Sequence, residues 1–230
     1  MAISISTKLL HLSYMVTYKK LLSKIINAGY KVLDVGSGIG FAKPLVTGRN
    51  ALYKGVEPRK NVFEQAVEIY GAPGFSNSLL LENATFEAFD KVICFTVLDE
   101  VQDKEAFLKV IKSYSHSKTE YYISVRNSDF PLRRSKTVHS TIDGSPLQDL
   151  GIDEWVLIFE ENEFLIEDLS KFQRPVYVGI SFSGLKTFLL TILYFMFPLR
   201  KSYILLFKLK GCGRATSNPK IHKLEREISK

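Results

Sequence analysis

The chain has 230 residues, of which 46% are hydrophobic and 24% charged. This composition is that of an ordinary globular protein and excludes a disordered chain, and the length is enough for a sizeable core in one large or two small domains. The two cysteines, Cys94 and Cys212, exclude a disulfide framework and a cysteine-based metal site.

The net charge of +7 comes from the C-terminal part of the chain. Residues 200–230 contain nine Lys or Arg and two Glu, whereas residues 1–199 balance at 22 basic and 22 acidic residues. We therefore predict a basic tail over residues 211–230. Such a tail either contacts the phosphates of nucleic acid or anionic lipid, or is simply solvated.

Residues 1–29 are predicted to form one or two amphipathic helices. Apolar residues recur there at helical spacing, at Leu9, Leu12, Met15, Val16, Leu21, Leu22, Ile25 and Ile26. Three lysines, Lys19, Lys20 and Lys24, interrupt these apolar positions. The segment therefore lacks the pattern of a secretory signal.

From Lys31 the chain alternates short apolar strands with helical segments. Strands are predicted at 31–35, 52–57, 77–82, 90–95, 121–126, 164–170 and 202–209, and helices at 40–48, 60–70 and 103–113, with another helix before the sixth strand. This alternation predicts right-handed βαβ units in an α/β fold with a mostly parallel sheet. A ligand of such a sheet lies outside the carboxyl ends of its strands.

The turn after the first strand is rich in glycine. In the stretch VLDVGSGIG, Gly36, Gly38 and Gly40 remove side chains where the backbone bends and a ligand approaches. A dinucleotide fingerprint would place its third glycine one residue later, where the chain has Phe41. A plain strand-to-helix turn is the other interpretation of this stretch.

This stretch resembles the first motif of the class I S-adenosylmethionine-dependent methyltransferases. Three later stretches resemble further motifs of that family in the same order: YKGVEP (53–58) the second-strand motif, FDKVICFTVLDEVQD (89–103) the fourth, and YYISVRNSDF (121–130) the fifth strand with its exit loop. The resemblance implies a Rossmann-like, doubly wound sheet of seven strands, with an antiparallel last strand. It also implies S-adenosylmethionine as the cofactor and S-adenosylhomocysteine as its product.

The resemblance further implies a set of cofactor-binding residues. These are Asp34, Gly36, Ser37, Gly38, Gly40, Glu57, Pro58 and Phe95. Asp34 would orient the loop and face the cofactor's ammonium group, directly or through water, and the backbone at Phe95 would contact the methionine part. The spacing also supports Glu57, which follows Asp34 by 23 residues, since an acid roughly 20 residues on reaches the ribose in such folds. A solvated acid at a strand end is the alternative.

Methyl transfer requires alignment of the acceptor with the methyl group, and a hydroxyl acceptor also requires a base. The candidate bases are His139, which follows the fifth strand, and Asp99 and Glu100, which occupy the family's leucine-acid-histidine-like position without the histidine. Ordinary acids of a first helical turn are the alternative for the last two. His116 would lie at the opposite sheet edge.

The acceptor is predicted to be an oxygen, in a hydroxyl or carboxyl group of a sugar, glycan or small molecule. The sequence lacks the Asn-Pro-Pro-Tyr stretch that in this family marks exocyclic amino acceptors, and it lacks clustered carboxylates for a metal. The alternatives are an RNA methyltransferase that uses the basic tail, a non-catalytic cofactor-binding module and a dinucleotide oxidoreductase.

Residues 173–201 are predicted to form a helical insertion before the last strand of a single domain that spans residues 1–210. The apolar stretch within it, residues 187–199, has 13 residues, whereas a membrane-spanning helix needs about 20. With Lys208, Lys210 and Arg214 nearby, the stretch suggests contact with an anionic membrane surface or a lipid-linked acceptor. A core, lid or dimer-interface helix is the alternative. The predicted location is cytoplasmic, with or without attachment to the inner face of the membrane.

Overall fold

The computed structural model describes residues 18–78, 88–129, 150–171 and 204–211 of the chain. Within these residues, strands and helices alternate as predicted. The strands are β1 (Lys31–Val35), β2 (Leu52–Val56), β3 (Phe75–Ser76), β4 (Phe89–Phe95), β5 (Ser115–Arg126), β6 (Phe164–Lys171) and β7 (Ile204–Gly211). The helices are α1, of which residues 18–25 are described, α2 (Ala42–Thr47), α3 (Lys60–Tyr70), a 3₁₀ turn (Leu98–Glu100), α4 (Lys104–Ser113) and α5 (Ile152–Glu161).

The seven strands form one sheet in the order β3-β2-β1-β4-β5-β7-β6. Strands β1 to β5 pair in parallel, and β7 is antiparallel to both of its neighbours, β5 and β6. This topology confirms the predicted seven-stranded, mostly parallel sheet with an antiparallel last strand. The strand order reverses at β1 and β4, so their carboxyl ends flank the crevice where such sheets bind ligands.

The core fills both faces of the sheet, as a parallel sheet requires. On one face, Trp155 and Phe159 of α5 are fully buried against Phe207 of β7, with the Phe159 and Phe207 ring centroids 4.8 Å apart. On the other face, Leu22 and Ile26 are fully buried in a second apolar cluster. These two residues confirm the amphipathic helix predicted for the part of residues 1–29 that is described.

Two strands differ from their predicted bounds by more than two residues at one end. Strand β3 ends at Ser76, because the Asn77 side chain turns away from the ladder and donates its amide to Glu57 O at 2.9 Å and Pro58 O at 3.1 Å. The prediction of a strand at 77–82 is therefore wrong at positions 77 and 78, and residues 79–82 lie outside the described part. Strand β5 begins six residues earlier than predicted, at Ser115.

Charged side chains form a ladder across the strands β4, β5, β7 and β6. Lys91 pairs with Glu120, which also accepts from Lys208 Nζ at 2.8 Å. Lys208 in turn lies 3.0 Å from Glu167 Oε2, and Lys210 Nζ lies 2.5 Å from Glu167 Oε1. Lys208 and Lys210, which were predicted to help to attract a membrane, are thus each paired with a carboxylate of the sheet.

Several predicted features lie outside the described residues. They are the chain before residue 18, the helical insertion at 173–201, His139 and the basic tail from residue 212 onward. Within the described residues, no helix is long and apolar enough to cross a membrane.

Candidate functional site

The glycine-rich turn between β1 and α2 is tied to the end of β2. The N–H groups of Gly36 and Ser37 both donate to Val56 O, at 2.9 and 3.0 Å. Gly36, Gly38 and Gly40 have φ values of +68°, +55° and +83°, a region that residues other than glycine rarely adopt. Backbone hydrogen bonds therefore hold the turn in shape, and the glycines leave no side chain that would block the approach of a ligand.

The glycines of this turn serve different purposes. A Cβ at Gly36 would lie 2.3 Å from Val97 Cγ2, so this glycine lets the chain after β4 pack directly on the turn. A Cβ at Gly38 would meet no atom within 4 Å. Gly38 thus faces open space, as expected of a backbone that a ligand approaches.

That open space belongs to a cavity of about 250 Å³ at the carboxyl ends of β1, β2 and β4. It is lined by Tyr18, Asp34, Gly36, Ser37, Gly38, Phe41, Ala42, Arg59, Phe95, Thr96, Val97 and Glu100. The rings of Tyr18 and Phe95 pack with their centroids 4.7 Å apart and form an apolar wall. The cavity brings together five of the eight predicted cofactor residues, Asp34, Gly36, Ser37, Gly38 and Phe95.

Asp34 is a buried acid at the bottom of this cavity. Burial raises the pKa of its carboxyl to about 7; the hydrogen bond from Tyr53 Oη, 2.8 Å from Asp34 Oδ2, lowers it, and the nearby charge of Glu57 raises it further. Tyr53 reaches Asp34 across Gly55, where a Cβ would lie 2.6 Å from the tyrosine oxygen. Asp34 thus titrates near neutral pH, where a bound cation would favour its charged form.

Glu57 follows β2 and is almost completely buried, with 1% of its side chain exposed. Its carboxylate accepts from the N–H of Gly38 at 3.0 Å and the N–H of Arg59 at 3.0 Å. The guanidinium of Arg59 adds bonds from Nε at 2.7 Å and Nη2 at 3.3 Å. Glu57 therefore joins the glycine turn to the start of α3, with the half-buried Pro58 between the two.

The chain bends sharply where β4 ends at the cavity. Thr96 has a φ of +57°, which is an outlier for a β-branched residue. Its N–H donates to Ser124 O at 2.9 Å and Ser124 Oγ at 3.0 Å, and its hydroxyl donates to Phe95 O at 2.7 Å. Strain of this kind costs about 1–3 kcal/mol and is typical of functional sites.

The two predicted acids of the 3₁₀ turn point to different surroundings. Asp99 is 3% exposed and pairs with Arg126 at the end of β5. Glu100 lines the cavity, and its Oε1 lies 3.9 Å from Arg126 Nη2. The indole Nε1 of Trp155 donates to Arg126 O at 2.9 Å and helps to hold that strand end in place. Asp99 is thus engaged in an internal ion pair, whereas Glu100 faces the site.

His116 lies at the opposite edge of the sheet, as predicted. Its Nε2 is 3.1 Å from Asp90 Oδ1, and the other oxygen of Asp90 accepts from the N–H of Lys31 at 2.8 Å. These residues stand at the starts of β5, β4 and β1. The contact is therefore far from the carboxyl ends that form the cavity.

Four further residues shape the site without having been predicted from the sequence: Tyr53, Arg59, Thr96 and Arg126. Tyr53 could have been found, since Gly55 pairs with Asp34 in register and a residue two positions earlier shares its face. The remaining three act through loop geometry or a cross-strand ion pair, for which the local sequence carries no signal.

The comparison with known proteins agrees with this fold. Residues 11–165 match a family model described as "Methyltransferase domain". No curated protein matches the chain in sequence. Three similar solved structures show the same fold at low sequence identity.

The first is an S-adenosylmethionine-dependent methyltransferase from Mesorhizobium loti, with 12% identity, a TM-score of 0.62 and coverage of 84% of this chain and 97% of that chain. The second is 1,6-didemethyltoxoflavin-N1-methyltransferase from Burkholderia thailandensis with bound S-adenosylhomocysteine, with 13% identity, a TM-score of 0.59 and coverage of 86% and 78%. The third is magnesium protoporphyrin IX methyltransferase from Synechocystis with bound S-adenosylmethionine, with 15% identity, a TM-score of 0.57 and coverage of 92% and 86%. The chain therefore belongs to the methyltransferase domain family and is an S-adenosylmethionine-dependent methyltransferase.

Proposed function

We propose that the cofactor binds in the cavity at the carboxyl ends of β1, β2 and β4, and that its methyl group passes to an oxygen of a small molecule or glycan. The observation that carries the binding mode is the bond between Glu57 Oε2 and the N–H of Gly38, at 3.0 Å. It joins the acid of the second strand to the glycine turn of the first strand in one unit. A ribose bound to Glu57 would therefore lie next to a methionine part bound along the glycine turn.

The charges of the cavity fit this cofactor. S-adenosylmethionine carries an ammonium and a sulfonium, and the buried carboxyl of Asp34 lies at the end of β1, where the ammonium would face it. The carboxylate of Glu57 would accept hydrogen bonds from the ribose hydroxyls, with Pro58 beside the nucleoside. The turn formed by Gly36, Ser37, Gly38 and Gly40 would let the ligand approach the backbone, and the backbone at Phe95 would contact the methionine part.

The cofactor supplies a methyl group bound to a positively charged sulfur. The acceptor atom attacks this methyl group in line and displaces the sulfur. The protein's own part is alignment, and for a hydroxyl acceptor the removal of its proton. Of the acids in the 3₁₀ turn, Glu100 is the better base, because its carboxylate lines the cavity while that of Asp99 is held by Arg126. His139, which follows β5 in the sequence, is the other candidate.

Two observations favour oxygen over an amino nitrogen as the acceptor. The residues after β4, Thr96 to Asp99, include no side-chain amide that could accept hydrogen bonds from an amino group. The carbonyl of Phe95 already accepts from the hydroxyl of Thr96 at 2.7 Å. An acid in the cavity wall such as Glu100 instead suits the removal of a hydroxyl proton.

The acceptor class can be tested with cofactor labelled in its methyl group. The purified protein is incubated with fractionated small molecules, glycans, lipids and RNA, and the labelled product is treated with mild alkali. A methyl ester releases labelled methanol, whereas a methyl ether keeps its label. Label transferred only to RNA, or to an amino nitrogen identified by mass spectrometry, would contradict the proposal.

The base can be tested on the acceptor found in this way. Glu100→Gln or His139→Ala is expected to lower turnover about 10²–10⁴-fold and to leave the affinity for S-adenosylhomocysteine unchanged. Glu105→Gln is the matched control, because Glu105 is exposed on α4, where it pairs with Lys109 at 2.6 Å, and does not line the cavity. If neither variant loses turnover, the acceptor ionises unaided, as a carboxyl group does, and alignment carries the reaction.

Contact with an anionic membrane surface or a lipid-linked acceptor also belongs to the proposal. Its support is the apolar stretch at 187–199 and the basic residues from Arg214 onward. Flotation with anionic and neutral vesicles tests it. Binding to neither kind of vesicle would assign the apolar stretch to the protein core or to a protein interface.

A further inference from the structure

The carboxylate of Glu57 has no room for another partner as it stands. A carboxylate offers about four lone-pair sites, and Glu57 accepts four hydrogen bonds: one from the N–H of Gly38, one from the N–H of Arg59 and two from the guanidinium of Arg59. Its side chain is 1% exposed. The ribose hydroxyls can therefore reach Glu57 only if a present partner leaves.

The guanidinium of Arg59 is the partner that can leave. The two N–H groups belong to the backbone of the glycine turn and of the start of α3, so they are fixed. The Arg59 side chain, in contrast, is 49% exposed and lines the cavity. The cavity, at about 250 Å³, is smaller than the roughly 300–1,000 Å³ usual for ligand pockets, as expected if a side chain fills part of the site.

A second negative charge, that of Glu100, also acts on Arg59. The hydrogen bond to Glu57 raises the pKa of Arg59, burial lowers it, and the charges of Glu57 and Glu100 raise it further. Glu100 also lines the cavity. A guanidinium that leaves Glu57 therefore stays in a region of negative charge at the solvent-exposed rim of the cavity and does not enter an apolar environment.

The position of Arg59 at the start of α3 does not explain its pairing. Arg59 is the N-cap residue of α3 and makes no side-chain capping bond. A positive charge at a helix N-terminus opposes the helix dipole. Stabilisation of helix α3 therefore does not explain why the Arg59 side chain lies over Glu57.

We propose that Arg59 is a positioning residue that competes with the ribose diol for Glu57. The two guanidinium bonds to Glu57 are exchanged for two bonds from ribose hydroxyls, and the half-exposed Arg59 side chain turns outward to solvent. The apparent affinity for the nucleoside is then reduced by the fraction of molecules in which Arg59 covers Glu57. The inference rests on the proposed role of Glu57 as the ribose ligand.

The test compares Arg59→Ala with the wild type by calorimetry, with three probes: S-adenosylhomocysteine, adenosine and 2′,3′-dideoxyadenosine. The variant is expected to bind the first two about 3- to 30-fold more tightly, because the competitor is gone. The dideoxy compound, which lacks both hydroxyls, is expected to bind equally to both proteins. Arg59→Lys, which keeps the charge but loses the planar fork, should give a smaller gain.

The matched control is Lys60→Ala, which removes a positive charge from the next residue. Lys60 is 80% exposed and lies 3.9 Å from Glu64, whereas the described hydrogen bonds to the Glu57 carboxylate come from Gly38 and Arg59. It should leave all three affinities unchanged. An equal gain in this variant would mean that general electrostatics, not competition, explains the effect and would overturn the inference.

Other outcomes also decide the matter. Unchanged or weaker binding of S-adenosylhomocysteine by folded Arg59→Ala would overturn the competition. So would an equal gain for the dideoxy compound. If the wild type itself does not bind S-adenosylhomocysteine, the proposed binding mode fails together with this inference, whereas binding by the wild type without a gain in Arg59→Ala refutes the inference alone.

Discussion

The buried acid at the end of β1 makes cofactor binding depend on pH near neutrality. Burial raises the pKa of Asp34 from 3.8 to about 7, against the opposing effect of the Tyr53 hydrogen bond. Because the pKa is raised, the carboxyl is neutral below about pH 7 and charged above it. If the charged form faces the cofactor's ammonium, the affinity for S-adenosylhomocysteine should fall as the pH is lowered through 7.

The size of this effect follows from the ionised fraction. Relative to the affinity with Asp34 fully ionised, the affinity should be about twofold lower at pH 7, about tenfold lower at pH 6 and about 100-fold lower at pH 5. The ligand's own amino group, with a pKa near 7.7–8.0, stays mostly protonated up to pH 7 and begins to lose its proton toward pH 7.5. Calorimetric titration between pH 5 and pH 7.5 measures the slope directly.

Three variants identify the group responsible. Asp34→Asn should bind weakly at every pH and show no slope. Tyr53→Phe loses a hydrogen bond to a charged group, worth about 1.5–3 kcal/mol, so the midpoint should rise by about one to two pH units. Asp153→Asn, at an exposed position of α5 outside the cavity lining, should behave as the wild type.

A flat affinity would refute this reasoning. If the dissociation constant of the wild type changes by less than about twofold between pH 5 and pH 7.5 while circular dichroism shows a folded protein, Asp34 does not titrate in contact with the ligand. A slope that persists in Asp34→Asn would assign the titration to another group.

Gly38→Val should abolish binding of S-adenosylhomocysteine, because φ is +55° at this position and the new side chain would enter the cavity. The control is Gly29→Val, which introduces similar backbone strain (φ +81°) away from the cavity and should leave binding intact. Equal affinities of the two variants would show that the glycine turn is not part of the site. Glu57→Ala should weaken that binding by about 1.5–3 kcal/mol and Glu57→Gln by less, and normal affinity of the alanine variant would place the ribose elsewhere. In the sheet, burial raises the pKa of Glu120, but hydrogen bonds from Lys208 and Lys91 lower it to about 2. Because the pKa is lowered on folding, the contribution of Glu120 to stability is present above pH 4.5 and is lost as the pH falls through 2. Glu120→Gln should therefore lower the free energy of unfolding at pH 7 by about 1–3 kcal/mol, and urea denaturation that shows no loss would mean that the ladder is not stabilising.

The sheet could be predicted from the sequence because its strands are strongly patterned. Strand β4 is buried along almost its whole length, and such a run has few alternatives to a central parallel strand. The edge strand β3 has two residues, Phe75 and Ser76. Strand β3 ends where the Asn77 side chain hydrogen-bonds to the loop after β2. No local sequence pattern predicts such a contact.

The candidate site divides in the same way. The glycine turn and Glu57 could be predicted, because backbone freedom and strand-end acids are properties of single positions. The pKa of Asp34 depends on its burial and on the hydrogen bond from Tyr53 of the neighbouring strand. The ion pair of Asp99 depends on Arg126, which is 27 residues away in the chain. These interactions exist only after the strands are side by side, so composition and spacing do not reveal them.

The position of β7 in the sheet constrains the order in which the strands can assemble during folding. This strand follows all the other described strands in the chain, yet it lies between β5 and β6 and bonds to both. Until residues 204–211 arrive, β5 and β6 each present an open edge, and such edges invite pairing with other chains. During synthesis, the half of the sheet that carries the glycine turn and Glu57 can assemble first, while closure of the other half waits for the last strand. Nascent chains that stop before residue 204 would therefore keep two unpaired strand edges. Chaperones that shield these edges would raise the yield of folded protein.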